Sequence, residues 1–254
     1  MLRKCHLIAG TALEKNHQAA PGAIALIDAL LRTKTPFLIV SEESQHPRIE
    51  MVEHYRGLGF ASFSPDVIFT STMAAIDWVA REYPNRISAA YLGGRGMKAS
   101  LQEAGFDLLS KHPQWLFLGY DPNAASPDYN EALRLLKQGT VLLNTDSSPV
   151  HEGIRKTMVG CGAIARMLEY ASGKKCLDFG RPSVITMASA LKYAGCEPKD
   201  AVYIGDDFQK DIVPAIRLKM DTAYVTLGSS IYDSGINDSV HPKWIVEDLS
   251  GLAH

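Results

Sequence analysis

The chain is short of cysteine, has no long apolar run, and has almost no excess of either charge. Its four cysteines, Cys5, Cys161, Cys176 and Cys196, make no CxxC pair. That spacing excludes a zinc knuckle and a dithiol redox motif, and leaves isolated, reduced, mostly packed thiols. No apolar stretch approaches the roughly 20 residues needed to span a bilayer. Lys and Arg total 26 against 28 Asp and Glu, a formal net charge of -2. There is therefore no electrostatic footprint for DNA or RNA and no basic run for a membrane surface. Repeats, low-complexity tracts and long linkers are missing too. Arg3 and Lys4 precede a short apolar run, as in a secretion signal, but that run contains Gly10 and Thr11 and stops at Glu14. It is too short and too polar for a leader. It reads as a first buried strand, and the expected compartment is the cytoplasm.

What is present suffices for a large core. The 254 residues are 46% hydrophobic and 21% charged, which suits an ordinary globular protein of one large or two smaller domains. Strand-like apolar runs alternate with helical periods, the pattern of a parallel α/β sheet. Lys4 to Ile8 and Pro36 to Val40 read as strands. Pro21-Gly22 opens a helix with Ile24, Ile27 and Leu31 on one face. A second helix carries Ile49, Val52 and Tyr55. The units restart near Asp66: strand Val67 to Phe69, helix Ser71 to Arg81, strand Ile87 to Leu92, then a Gly93-Gly94-Arg95-Gly96 turn. Trp115 to Leu118 and Thr140 to Leu143 are strand candidates around the helix Tyr129 to Lys137. Trp78 and Trp115 read as core or interface aromatics. A long helix, Cys161 to Ser172, closes at Gly173. After Arg181 the first pattern resumes: helix Pro182 to Tyr193, strand Ala201 to Ile204, helix Lys210 to Leu218, strand Thr222 to Val225.

Four segments carry a family resemblance. They are Leu7-Ile8-Ala9-Gly10-Thr11 after the first strand, Val40-Ser41 after the second, Gly180-Arg181-Pro182-Ser183 before a helix, and Ile204-Gly205-Asp206-Asp207-Phe208-Gln209-Lys210-Asp211. Phe69-Thr70-Ser71-Thr72-Met73-Ala74, Gly94-Arg95-Gly96, Ala104-Gly105-Phe106 and Gly162-Ala163 add weaker matches. In this order the set resembles the haloacid dehalogenase (HAD) phosphatase signature in its NagD-like branch. The resemblance implies an α/β fold: a Rossmann-like parallel-sheet core, residues 1–66 and 179–254, with an α/β cap inserted as residues 67–178.

The same resemblance exposes a defect. The family opens with Asp-x-Asp-Gly-Thr, whose first Asp attacks phosphorus and whose second protonates the leaving oxygen. Here those positions hold Leu7 and Ala9. Two residues apart on a strand, both side chains leave on the same side. Loss of a nucleophile alone costs about four to six orders of magnitude in rate. The competing explanation is misalignment, but no Asp precedes Asp28, which sits in a helical pattern. His6 is a conceivable substitute nucleophile, although alternation turns it away from Leu7 and toward a packed or hydrogen-bonded role.

The remaining site residues follow from the resemblance. Ser41 keeps the hydroxyl that binds phosphate. Glu42 and Glu43 stand where the family has Asn or similar. They favour a helix N-terminus, or repel a phosphate at roughly 3 kcal/mol for charges about 5 Å apart, or move in as replacement metal ligands. Arg181 replaces the family's Lys; it binds phosphate bidentately or pairs with the acidic cluster. Asp206, Asp207 and Asp211 survive as magnesium positions, weakened by the missing carboxylate, or as a salt-bridge cluster. Asn144 and Thr145 replace a Thr-Asn-Pro-Asp-like stretch of the cap that reaches toward substrate. The expected function is a catalytically impaired phosphatase homologue that binds a small phosphorylated or anionic molecule, or a protein partner. The alternatives are an active magnesium-dependent phosphatase with a non-standard nucleophile, and a structural protein that forms a homodimer through the cap.

Overall fold

Near-continuous apolar runs such as Phe37-Leu38-Ile39-Val40 suit strands buried on both faces, which is the condition of a parallel sheet. The computed structural model describes residues 4–153, 156–229 and 240–253; Arg3 lies outside them. The chain divides into two compact units. One comprises Met1–Ser41, Ile49–Phe69 and Pro182–His254, the other Glu42–Arg48 and Thr70–Arg181.

The first unit is built on a six-stranded sheet. Its strand order is Trp244–Val246, Asp221–Val225, Ala201–Gly205, Cys5–Ala9, Phe37–Ser41 and Ile68–Thr70. Cys5–Ala9 therefore lies inside the sheet, parallel to Ala201–Gly205 on one side and to Phe37–Ser41 on the other. Leu7 stands opposite Tyr203 and Leu38, and Ala9 opposite Val40. All five residues of Cys5–Ala9 are buried. The strand order runs outward on both sides of Cys5–Ala9, and the carboxyl ends of the strands at such a reversal are where open α/β sheets place ligands.

The helices keep part of the expected apolar faces and shift the rest. The helix Ala23–Arg32 begins after Pro21-Gly22 and buries Ala23, Leu26, Ile27 and Leu30; Ile24 and Leu31 fall on its exposed margin. Arg48–Gly57 buries Met51, Val52 and Tyr55, with Ile49 exposed. Ile27, Val52 and Tyr55 lie on the buried stripes as expected, while Ile24, Leu31 and Ile49 sit at their edges, where Leu26, Leu30 and Met51 pack instead. The expected helix Lys210 to Leu218 is a π turn, Phe208–Ile212, followed by a short helix, Val213–Arg217. Pro214 has no N–H to return to Lys210, so the regular ladder is broken there.

The second unit has a four-stranded parallel sheet ordered Cys176–Asp178, Val141–Asn144, Trp115–Leu118, Ala89–Leu92. An antiparallel pair, Val150–Gly153 with Lys156–Val159, stands apart from it. Trp115 is buried, edge-on to Trp78, and its Nε1 donates to the Arg86 carbonyl at 3.0 Å. The helix Arg95–Glu103 occupies a stretch read from sequence as the tail of a glycine turn. The pairs at 150–159 and the strands Cys176–Asp178 and Trp244–Val246 were not expected either; runs of three or four residues carry too little periodicity to register.

Candidate functional site

The first unit supplies the strand ends. Leu7 and Ala9 are both 0% exposed and offer no nucleophilic, acidic or basic atom. His6 is also fully buried, with Nδ1 2.7 Å from the Lys4 carbonyl. Burial pushes its imidazole down to about 4; it is a packed, neutral histidine. Ser41 is the last residue of its strand.

The acidic residues after the strand Ala201–Gly205 are already engaged. Thr11 Oγ1 donates to Asp206 Oδ1 at 2.5 Å. Asp207 caps the following turn, with Oδ1 accepting from the N–H of Gln209 at 3.0 Å and of Lys210 at 2.9 Å. Its other oxygen lies 3.9 Å from Lys210 Nζ. Asp211 is 0% exposed; it accepts from the Asp207 N–H at 3.2 Å and from the Tyr203 hydroxyl at 3.4 Å. Gly205 makes room for it, because a Cβ there would run into the Asp211 carboxylate. The three carboxylates are thus met by hydroxyls, backbone amides and Lys210.

The second unit holds the charged pair. Glu42 Oε2 accepts from Arg181 Nε at 3.0 Å, and Oε1 accepts from the Arg181 N–H at 2.6 Å. The side chains are 10% and 12% exposed. Burial raises Glu42 above the usual carboxylate range, with the Arg181 guanidinium pulling the other way and Asp146 adding to the rise. The helix N-terminus explanation fails for Glu42, since the next helix starts only at Arg48. Glu43 instead closes a turn, accepting from the backbone N–H of Gln45 and, at 3.2 Å, of His46.

Asn144 and Thr145 are fully buried and face inward. Asn144 Nδ2 donates to Asp178 Oδ1 at 2.8 Å, and Thr145 Oγ1 to the Leu118 carbonyl at 3.0 Å. The next residue makes a feature that sequence reasoning missed. Asp146 is 2% exposed, and its Oδ2 lies 2.7 Å from His151 Nε2. At that separation the two form an ion pair whenever the imidazole is protonated. The Asp146 carboxylate raises His151 above its ordinary value despite partial burial. The Tyr120 ring leans on the imidazole with centroids 4.0 Å apart. An acid and a histidine five residues apart around Pro149 are the only sequence signal of this pair.

Comparison with known proteins agrees with this architecture. A haloacid dehalogenase-like hydrolase model matches residues 8–107, and a HAD hydrolase-like model matches residues 178–252. The chain belongs to the haloacid dehalogenase superfamily, and its fold is that of the NagD-like branch. It is 25% identical over 237 residues to an acid sugar phosphatase of Staphylococcus epidermidis, spanning 93% of this chain and 91% of that one. NagD from E. coli K-12 superposes with a TM-score of 0.88 at 20% identity, covering 98% of this chain and 97% of its own. A glycerol phosphate phosphatase from Mycobacterium tuberculosis, solved in complex with magnesium, gives a TM-score of 0.88 at 20% identity. It covers 99% of this chain and 77% of its own.

The glycerol phosphate phosphatase was solved with magnesium, and the donors at the corresponding strand ends of this chain do not fit that ion well. Leu7 contributes no ligand, Asp207 is occupied as a cap, and Asp211 is buried. That leaves Asp206, itself held by the Thr11 hydroxyl, where magnesium demands near-octahedral oxygen. Among the described residues, no three His, Cys, Asp or Glu side chains gather as a metal site. No described helix is long and apolar enough to cross a membrane.

Proposed function

We propose that this chain keeps the ligand-binding framework of a HAD phosphatase and has lost the aspartyl-phosphate chemistry. It then binds a small phosphorylated or anionic molecule without hydrolysing it at the rate of an aspartate-nucleophile enzyme. One observation carries the reading: Leu7 and Ala9 fill the end of the central strand with buried hydrocarbon, at the positions where the family has its nucleophile and its acid. The donor set for magnesium is depleted at the same strand end, which supports it. The deciding experiment is hydrolysis of p-nitrophenyl phosphate by the purified protein in magnesium, beside Asp206→Asn. Turnover no greater than that of the variant is expected. Robust turnover that disappears in Asp206→Asn overturns the reading.

A second reading has one specific contact in its favour. Thr11 Oγ1 donates to Asp206 Oδ1 at 2.5 Å, which sets a hydroxyl beside a carboxylate base at the same strand end. An active phosphatase with Thr11 as nucleophile requires that turnover also vanish in Thr11→Val.

A further inference from the structure

Three N–H donors converge on one carboxylate in the second unit. Glu42 Oε1 accepts from the Arg181 N–H at 2.6 Å and the Ser147 N–H at 3.3 Å, while Oε2 accepts from Arg181 Nε at 3.0 Å. Two backbone amides and a guanidinium edge on a single anion form the donor arrangement that recognises carboxylate and phosphate oxygens. The segments that bring them together are far apart in sequence, and their approach is specific. Gly180 lies so close to Ser147 that a Cβ would collide with its backbone nitrogen and Oγ. A glycine there is what allows the Ser147 and Arg181 amides to share one acceptor. The setting is also electrostatically crowded: Asp146 lies near enough to raise Glu42 further, and Glu42 in turn helps raise His151. A second acid held beside Asp146 is costly unless its partners hold it firmly.

We propose that the Ser147 and Arg181 amides and the Arg181 guanidinium form an oxyanion site, suited to a phosphate-class group, that the chain fills with its own Glu42 carboxylate. Glu42 is then an autoinhibitory anion. An external oxyanion binds there only by displacing it, so the affinity of the intact protein reports a competition. This inference rests on the reading of the chain as a binder of anionic small molecules, and it says where the anion goes and what keeps it out.

The test uses the full chain and inorganic phosphate, with binding read by isothermal titration calorimetry. The wild type is expected to bind weakly. Removing the competing charge in Glu42→Ala is expected to tighten binding by about ten-fold or more. The double variant Glu42→Ala/Arg181→Ala is expected to lose that gain. Glu42→Gln guards against misfolding of the alanine variant, because it keeps the shape and removes only the charge. Its melting midpoint is expected to rise in phosphate, relative to chloride at equal ionic strength, by more than that of the wild type. A folded Glu42→Ala protein with affinity within about two-fold of wild type, or a Glu42→Gln midpoint indifferent to phosphate, overturns the proposal. A gain that survives Arg181→Ala overturns it as well, by putting the anion elsewhere. Turnover is not read in these assays. A catalytically competent wild type sinks the impaired-phosphatase reading, whereas failure of phosphate to bind folded Glu42→Ala sinks this one.

Discussion

Leu7→Asp combined with Ala9→Asp places two carboxylates at the end of the central strand, next to the strand that leads into Asp206. Leu7 is wholly buried, and loss of such a side chain costs about 2–5 kcal/mol. A buried, unpaired carboxylate in its place adds a desolvation penalty. In metal-free buffer the double variant is therefore expected to melt well below the wild type. A divalent cation that binds only the folded state recovers part of the loss. The recovery is about 1.4 kcal/mol at ten times its Kd and about 2.7 kcal/mol at a hundred times. For a chain of this size that is roughly 3–10 °C. The assay is thermal unfolding across a magnesium chloride titration, with sodium chloride at matched ionic strength. The wild type, lacking the carboxylate ligand, is expected to move no more in magnesium than in sodium. If the double variant is folded and its midpoint ignores magnesium, Leu7 and Ala9 do not stand at the metal-binding positions, and the alignment of the first motif is wrong.

Two further outcomes follow from the geometry. Because Asp146 raises His151 in the folded state, the pair contributes stability in full below the unfolded histidine value of about 6.5 and loses it as pH rises through the raised folded value. The urea midpoint of Asp146→Asn should thus trail the wild type by more at pH 6 than at pH 9; an equal gap at both would dismiss the ion pair as a contributor. Gly205→Ala drives a methyl into the buried Asp211 carboxylate and is expected to cost about 1–3 kcal/mol in chemical denaturation, an effect under about 0.5 kcal/mol contradicting so close an approach.

The α/β class was legible because parallel strands buried on both faces must be written as continuous apolar runs. The strands Cys5–Ala9, Phe37–Ser41 and Ala201–Gly205 are such runs. That Leu7 and Ala9 carry no carboxylate was legible for a different reason: it is a property of the residues themselves, whatever the fold. Helix phase was less accessible. Ile24, Leu31 and Ile49 are apolar, yet which stripe meets the sheet depends on where each helix starts and how it is rotated. Neither is set by composition.

The partners of the charged groups belonged to the tertiary structure alone. Glu42 and Arg181 are 139 residues apart, and nothing local in either segment requires them to meet. Asp211 needed Gly205 and Tyr203 around it before its burial made sense, and Asp146 needed His151 to return along the antiparallel pair. A sequence determines which atoms a chain possesses and which stretches must be buried, because both are properties of single residues and short periods. Which donor faces which acceptor is decided only when distant segments are brought within 3 Å or so of each other, and there the fold, not the motif, assigned Arg181 to Glu42.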